Sequence, residues 1–227
     1  MGERVMLEGD PPIEILVRRS DRARRLTLRV SRLDGRVTLS LPQRVPAGAA
    51  ERFLAQKADW VRQNVARGPV AHGLAMGDTI PVEGIGRRIV EGRPGLHPGV
   101  VQVRGARPVG AQVAGLLKEL ARDRLAEACD RYAAAVGRPY ARLTLRDTRS
   151  RWGSCTSAGN LMFSWRLAMA PPQVLDYVAA HEVAHLVHMN HSKTFWRQVG
   201  ALCPDYDRHR AWLRGPGREL HAVQFMA

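Results

Sequence analysis

The chain has only three cysteines, Cys129, Cys155 and Cys203, and no two of them stand at CxxC spacing. That excludes a disulfide framework or a zinc ribbon and points to reduced thiols in the cytoplasm. No apolar run approaches the ~18 residues that a membrane span needs. The opening stretch "MGERVMLEGDPP" lacks the apolar core of a secretory signal, so neither membrane nor export is expected. Lysine is scarce as well, since 32 of the 35 basic residues are arginine. With alanine and glycine abundant beside it, that imbalance resembles genomic composition bias. No internal repeat and no low-complexity linker interrupts the chain.

What is present fits an ordinary globular protein, with 45% hydrophobic and 25% charged residues over 227 positions. The net charge of +14 invites an anionic partner. The excess is spread out: 14 basic against 8 acidic residues in 1–70, 9 against 7 in 71–137, and 12 against 6 in 138–227. Its densest stretch, "RRSDRARRLTLRVSR", puts seven arginines between Arg18 and Arg32 beside one acid, Asp21. This is either a solvated sheet face or a docking surface for nucleic acid or another anionic partner.

Three runs of period two, Ile13/Ile15/Val17, Leu26/Leu28/Val30 and Val37/Leu39/Leu41, predict strands. An Asp-Gly turn within 33–36 joins the last two as a hairpin. Pro46 opens a predicted helix over 46–66, with Phe53, Leu54, Trp60 and Val61 facing the core. The ten glycines and short β-type runs of 68–110 predict a small meander. A helix over 110–136 ends at Gly137, followed by strands over 141–147 and 160–167 with a turn-rich segment between them. Pro171-Pro172 opens a further helix, two shorter ones follow near 192–201 and 205–214, and the last dozen residues are expected to fray. The fold class is α+β: a β-rich N-terminal part with one helix, 1–108, followed by a metal-binding domain, 109–227.

The chemistry concentrates in "HEVAHLVHMNH", residues 181–191, which holds four of the eight histidines. His181 and His185 stand about 40° apart around a helix and one turn apart along it, so both can bind one ion from the same side. Glu182, beside the first, can reach a water on that ion without ligating it. This is the H-E-x-x-H arrangement, in which zinc acidifies water and the glutamate takes its proton. His188 lies on the same helical face but roughly 10 Å along the axis from His181. A third ligand must come from chain that turns back. Asn190 in a left-handed conformation and Ser192 as the next N-cap would supply that turn, which favours His191 over His188. The spacing also matches H-E-x-x-H-x-x-G-x-x-H, but His188 fills the glycine position and no methionine follows before Met226.

"RWGSC", then "GNLMFSWRLAMAPPQVLDYVAAHEVAHLVHMNHSKTFW" and "CPDYDRHRAWL", resemble the YgjP-like metallopeptidase family, related in site layout to SprT-like proteases. The likeness extends to "RRSDRARRLTLRV" at the front. It implies a zincin-like C-terminal domain, zinc on His181, His185 and His191, a catalytic Glu182, and a peptide or protein substrate. "NLMFSWRL" would lie along the cleft edge with Asn160 and Ser164 on its rim. Arg149, Arg151, Trp152 and Ser154 would bind substrate, unless they form a tight turn under the sheet. Phe195 and Trp196 would hold the ligand turn. The reading is a zinc-dependent metallopeptidase with one zinc per chain. A nucleotide or phosphoester hydrolase, and a binding module with a structural metal, are the alternatives.

Overall fold

A computed structural model describes residues 3–31, 35–66 and 73–225. The chain divides into two compact units, 1–72 and 73–227. The break falls earlier than the 108/109 boundary expected from the sequence. The glycine-rich strands of 79–103 share a core with the helices after them, through Ile80, Ile89 and Val101 against Val113 and Leu117.

The first unit holds β1 (Glu3–Leu7), β2 (Ile13–Arg19), β3 (Thr27–Val30) and β4 (Val37–Leu41), then α1 (Ala47–Gln56) and α2 (Ala58–Ala66). The sheet order is β1-β2-β4-β3, with β2 and β4 parallel and the outer pairs antiparallel. β3 and β4 pair as the hairpin reading requires, although residues 32–34 of the turn, and Arg32 with them, lie outside the described residues. Alternation buries Ile15, Val17, Val37, Leu39 and Leu41 on one face, where Leu54 and Val61 meet them. The single helix expected over 46–66 is broken at Lys57 (φ −105°, ψ 6°). Trp60 is 43% exposed and no core residue. Val61 takes the inner face, and its neighbour is carried ~100° around the axis. Arg19 is spent on the carbonyls of Gln43 and Val45, while Arg18, Arg22, Arg24, Arg25 and Arg29 stay exposed.

The second unit opens with β5 (Thr79–Val82), β6 (Ile85–Glu91), β7 (Gly95–His97) and β8 (Val100–Val103). They do not form a meander: the order is β5-β6-β8-β7, with β6 and β8 parallel. β8 carries Val100, Val101 and Val103 and takes the covered inner position, whereas the short "GLH" of β7 goes to the edge. The topology repeats that of the first sheet without a repeat in sequence. The β5–β6 turn, Glu83 (φ 52°) and Gly84 (φ 79°), donates its N–H groups to the carbonyls of Ala168 and Met169. A side chain at Gly84 would lie 3.0–3.2 Å from Pro171, so the glycine lets this turn seat the start of the helix Pro172–Ala184.

α3 (Val109–Val136) buries Val113, Leu117, Ala121, Leu125 and Ala128 along one stripe and ends at Gly137 (φ 67°). The third sheet, β9 (Arg142–Arg146), β10 (Gly153–Cys155) and β11 (Asn160–Ser164), is ordered β10-β11-β9. A 3-10 turn (Trp165–Met169) leads into α4 (Pro172–Ala184), α5 (Lys193–Leu202), α6 (Tyr206–Arg214) and a last 3-10 turn (Pro216–His221). Of the last dozen residues, expected to fray, the described part is packed: Leu220, His221 and Phe225 are buried. The cause is Arg166, whose buried guanidinium pairs with Asp147 and donates to the carbonyls of Leu220 and Val223, both at 2.9 Å. A charge so buried persists only when its donors are satisfied; removing a partner from such a pair typically costs about 3–5 kcal/mol.

Candidate metal centre and active site

α4 begins with Pro172 at its first turn and runs through Leu175, Val178, Ala179, Ala180, Val183 and Ala184, all buried. His181 and Glu182 sit in its last turn and His185 caps it. The helix stops there, because the N–H groups of Leu186 and Val187 donate to Val183 and Ala184 in a tightened final turn. His188 is therefore off the helix, contrary to the face assignment made from its spacing. Among the described residues only Glu83 outside glycine has positive φ, so Asn190 does not take the left-handed turn expected of it. Ser192 does cap α5, its Oγ accepting from the Phe195 N–H at 3.4 Å.

The returning chain brings His191 to the helix end. Nε2 of His191 lies 3.2 Å from Nε2 of His181. One ligand atom from each of His181, His185 and His191 falls within 4.8 Å of the others. Zn–N bonds of 2.0–2.1 Å in a tetrahedron place two nitrogens ~3.3 Å apart, so the 181–191 pair already stands at ligand spacing. His185 Nδ1 is 2.9 Å from the carbonyl of His188. That bond keeps the proton on Nδ1 and frees Nε2 for an ion. Thus His188 contributes its backbone and its ring is not in the group. Burial, with the charges of His185, His191 and Arg210, lowers the His181 pKa to about 3. Burial also lowers that of His185, against the pull of the His188 carbonyl. Neutral imidazoles are the form that ligates, so the donor set fits a divalent cation such as zinc.

Aromatic rings hold this arrangement. Phe195 is fully buried and stacks on His185 at 4.5 Å between centroids, and Trp196 stacks on His191 at 5.7 Å. Trp196 in turn meets Tyr206 and lies 4.5 Å from the Arg210 guanidinium. The expected anchoring role of Phe195 and Trp196 corresponds to these contacts.

Glu182 is 5% exposed and lies against β10. A Cβ at Gly153 would stand 2.6 Å from both its Cγ and its Oε1. The glycine of "RWGSC" is thus the space that Glu182 occupies, and the sequence reading passed it over in favour of its neighbours. Burial raises the Glu182 carboxyl to about 8, opposed by the charge of Arg151. Trp152, Gly153, Tyr177, His181, Glu182 and Arg210 line a cavity of about 230 Å³, with Val178, Leu213 and Arg214 completing its wall. A larger cavity of about 390 Å³, beside Asp176 and Cys203, includes neither the three histidines nor Glu182.

The substrate residues expected from the sequence scatter. Trp152 reaches the cavity and Arg151 acts on Glu182. Ser154 is half-buried on β10. The charge of Arg149 bears instead on Asp147 and His221. Asn160 bonds to Thr156 Oγ1 through its N–H and its side-chain amide, closing the β10–β11 turn. Ser164 is 0% exposed, so it lies on no rim. β11 is the central strand of its sheet; the edge next to α4 is β10. An apolar "NLMFSWRL" reads as a strand, but which strand is outermost depends on pairing. Tyr177, Arg210 and Arg214 were missed. Tyr177 lies one helical turn before His181, a faint signal, and the arginines come from α6, which nothing local in sequence ties to the site.

The model of the YgjP-like metallopeptidase domain matches residues 24–215. The chain belongs to the YgjP-like metallopeptidase family. No curated protein matches it. Among solved structures, the metallopeptidase zymogen abylysin of Pyrococcus abyssi is 17% identical, with a TM-score of 0.37, over 40% of this chain and 95% of that one. Family membership and the three-histidine group together make this a metal-binding hydrolase of the metallopeptidase class. No described helix is long and apolar enough to cross a membrane.

Gly153→Ala should displace the Glu182 carboxyl while leaving the histidines in place. A displacement on the ångström scale can cost on the order of 10²-fold in turnover. Hydrolysis should fall toward that extent with metal content retained. Unchanged turnover would show that the carboxyl has room to spare.

Proposed function

We propose that this chain is a cytoplasmic, zinc-dependent peptidase with one zinc held by His181, His185 and His191. The observation that carries this reading is the convergence of those three side chains beside a buried Glu182. Among the described residues the group has three members, the count of a catalytic site and not of a closed structural one. When bound, the cation supplies Lewis-acid chemistry, polarising a carbonyl and lowering the pKa of water. The charge of a bound cation would oppose the burial that raises the Glu182 pKa, and the ionised carboxylate would then take a proton from the attacking water and return it to the leaving amine. The missing side chain at Gly153 leaves its carboxyl room, and Tyr177 meets the His181 ring edge-on at 5.9 Å between centroids.

β10 is the strand on which an extended peptide would lie. Trp152 accepts from the Ser164 N–H and Thr156 donates to the Asn160 carbonyl, so these residues spend their backbone groups on β11. By antiparallel alternation, the groups of Gly153 and Cys155 face the free edge. A peptide added there passes Glu182. The exposed Arg18, Arg22, Arg25 and Arg29 support a further proposal, an anionic partner on the first unit.

The test is metal removal. Purified protein should hold about one zinc per chain, as a single three-ligand site requires. It should cleave unfolded proteins, lose that activity to a chelator and regain it with zinc. Cleavage that survives complete chelation overturns the reading, as does hydrolysis confined to nucleoside triphosphates.

A further inference from the structure

The cavity beside Glu182 has a composition that peptide cleavage alone does not demand. One side is apolar: Trp152, Tyr177, Val178 and Leu213. The other carries two guanidiniums, Arg210 and Arg214, four residues apart and so on one face of α6. Neither is in an ion pair or hydrogen bond among the described residues. Arg210 rests on the Trp196 ring, and the charges of both reach the Tyr177 hydroxyl. Of the lining residues only Glu182 is acidic. At about 230 Å³ the space is below the ~300 Å³ at which drug-sized sites begin. It suits one side chain or one terminal residue.

Resting on the peptidase reading above, we propose that this cavity is a specificity subsite for a carboxylate of the substrate next to the cleaved bond. The carboxylate belongs either to an acidic side chain or to the chain terminus. Unpaired guanidiniums are suited to carboxylates because their planar donor forks match the two oxygens. The same charges repel a lysine or arginine side chain, so selection works by exclusion as well as by attraction. The apolar wall takes up the methylene groups of a glutamate.

The zinc-loaded full chain is titrated with N-acetylglutamate and N-acetylglutamine by calorimetry. It is also assayed on peptides identical except for Glu, Gln or Lys flanking the cleaved bond, each as C-terminal acid and amide. A charge-assisted hydrogen bond gained or lost corresponds to about tenfold or more. Glutamate should therefore bind at least about tenfold tighter than glutamine, and kcat/KM should fall in the order Glu, Gln, Lys. Preference for Glu in amidated peptides assigns the side chain; preference for the acid form assigns the terminus; either supports the subsite. Arg214→Gln should bring the Glu:Gln ratios toward one. Arg208→Gln, exposed on the same helix, should keep them. Arg214 is chosen because Arg210 also covers a ring stacked on His191. Ratios that ignore Arg214→Gln, or a preference for Lys, overturn the proposal. So does Arg214-dependent binding of pyrophosphate without binding of the carboxylate. Arg214-dependent glutamate binding with no cleavage of any peptide upholds the subsite and sinks the peptidase reading instead.

Discussion

Glu182→Gln is expected to lower hydrolysis by ~10²–10⁴-fold, the range typical of losing a general base. Zinc content and thermal stability should stay close to those of the unaltered protein. The separation follows from where the side chain sits. Its neighbour His181 belongs to the metal group; Glu182 itself lies against Gly153, with 5% of its surface exposed. Glutamine keeps the volume that fills this space and keeps hydrogen-bonding atoms, but it cannot accept and return a proton. No buried ion pair is broken, because Arg151, the charge that acts on the carboxyl, is exposed. Turnover that survives intact would remove Glu182 from the chemistry. Loss of zinc with the substitution would make the carboxyl structural and favour a binding module.

His191→Ala should weaken zinc binding severely, as much as His185→Ala, whereas His188→Ala should leave it nearly unchanged. Among the described residues, His191 provides the third nitrogen of the group and stands 3.2 Å from His181. Without it two imidazoles remain on one helix end, short of the three protein ligands of a catalytic zinc site. His188 acts through its carbonyl on His185 Nδ1, an atom that alanine retains. A group that orients a ligand from behind typically changes affinity by ~10–100-fold. The His191 variant should exceed that range and the His188 variant should fall below it. Metal analysis and competitive zinc titration decide this. Metal kept by His191→Ala and lost by His188→Ala would mean that the helix end is read wrongly.

Much of the site was legible because its signals are local. The i, i+4 histidines and the adjacent glutamate are related by helix geometry alone, and the serine that caps α5 is recognisable from its own few residues. The inward residues of β2 and β4 followed from periodicity for the same reason, whereas β1 and the three-residue β10 were not foreseen. Even between His185 and Ser192 the turn was misjudged. The chain reverses through a tightened helix end and a bond from His185 to the His188 carbonyl, not through a left-handed Asn190, because a backbone acceptor leaves no mark in residue type.

What the sequence by itself determined is the local pattern: two imidazoles one helical turn apart, the carboxyl beside the first, and the starts of α1, α3, α4, α5 and α6 to within a residue or two. Only the tertiary structure decided that β11 is central and β10 is the edge, since strand pairing depends on which surfaces bury each other. It likewise placed Gly153 under Glu182, drew the C-terminal turn inward through Arg166, and set Arg210 and Arg214 on the cavity wall. Each of these joins residues far apart in the chain. Their proximity is selected by packing and by the cost of a buried charge left unpaired, and neither acts along the sequence.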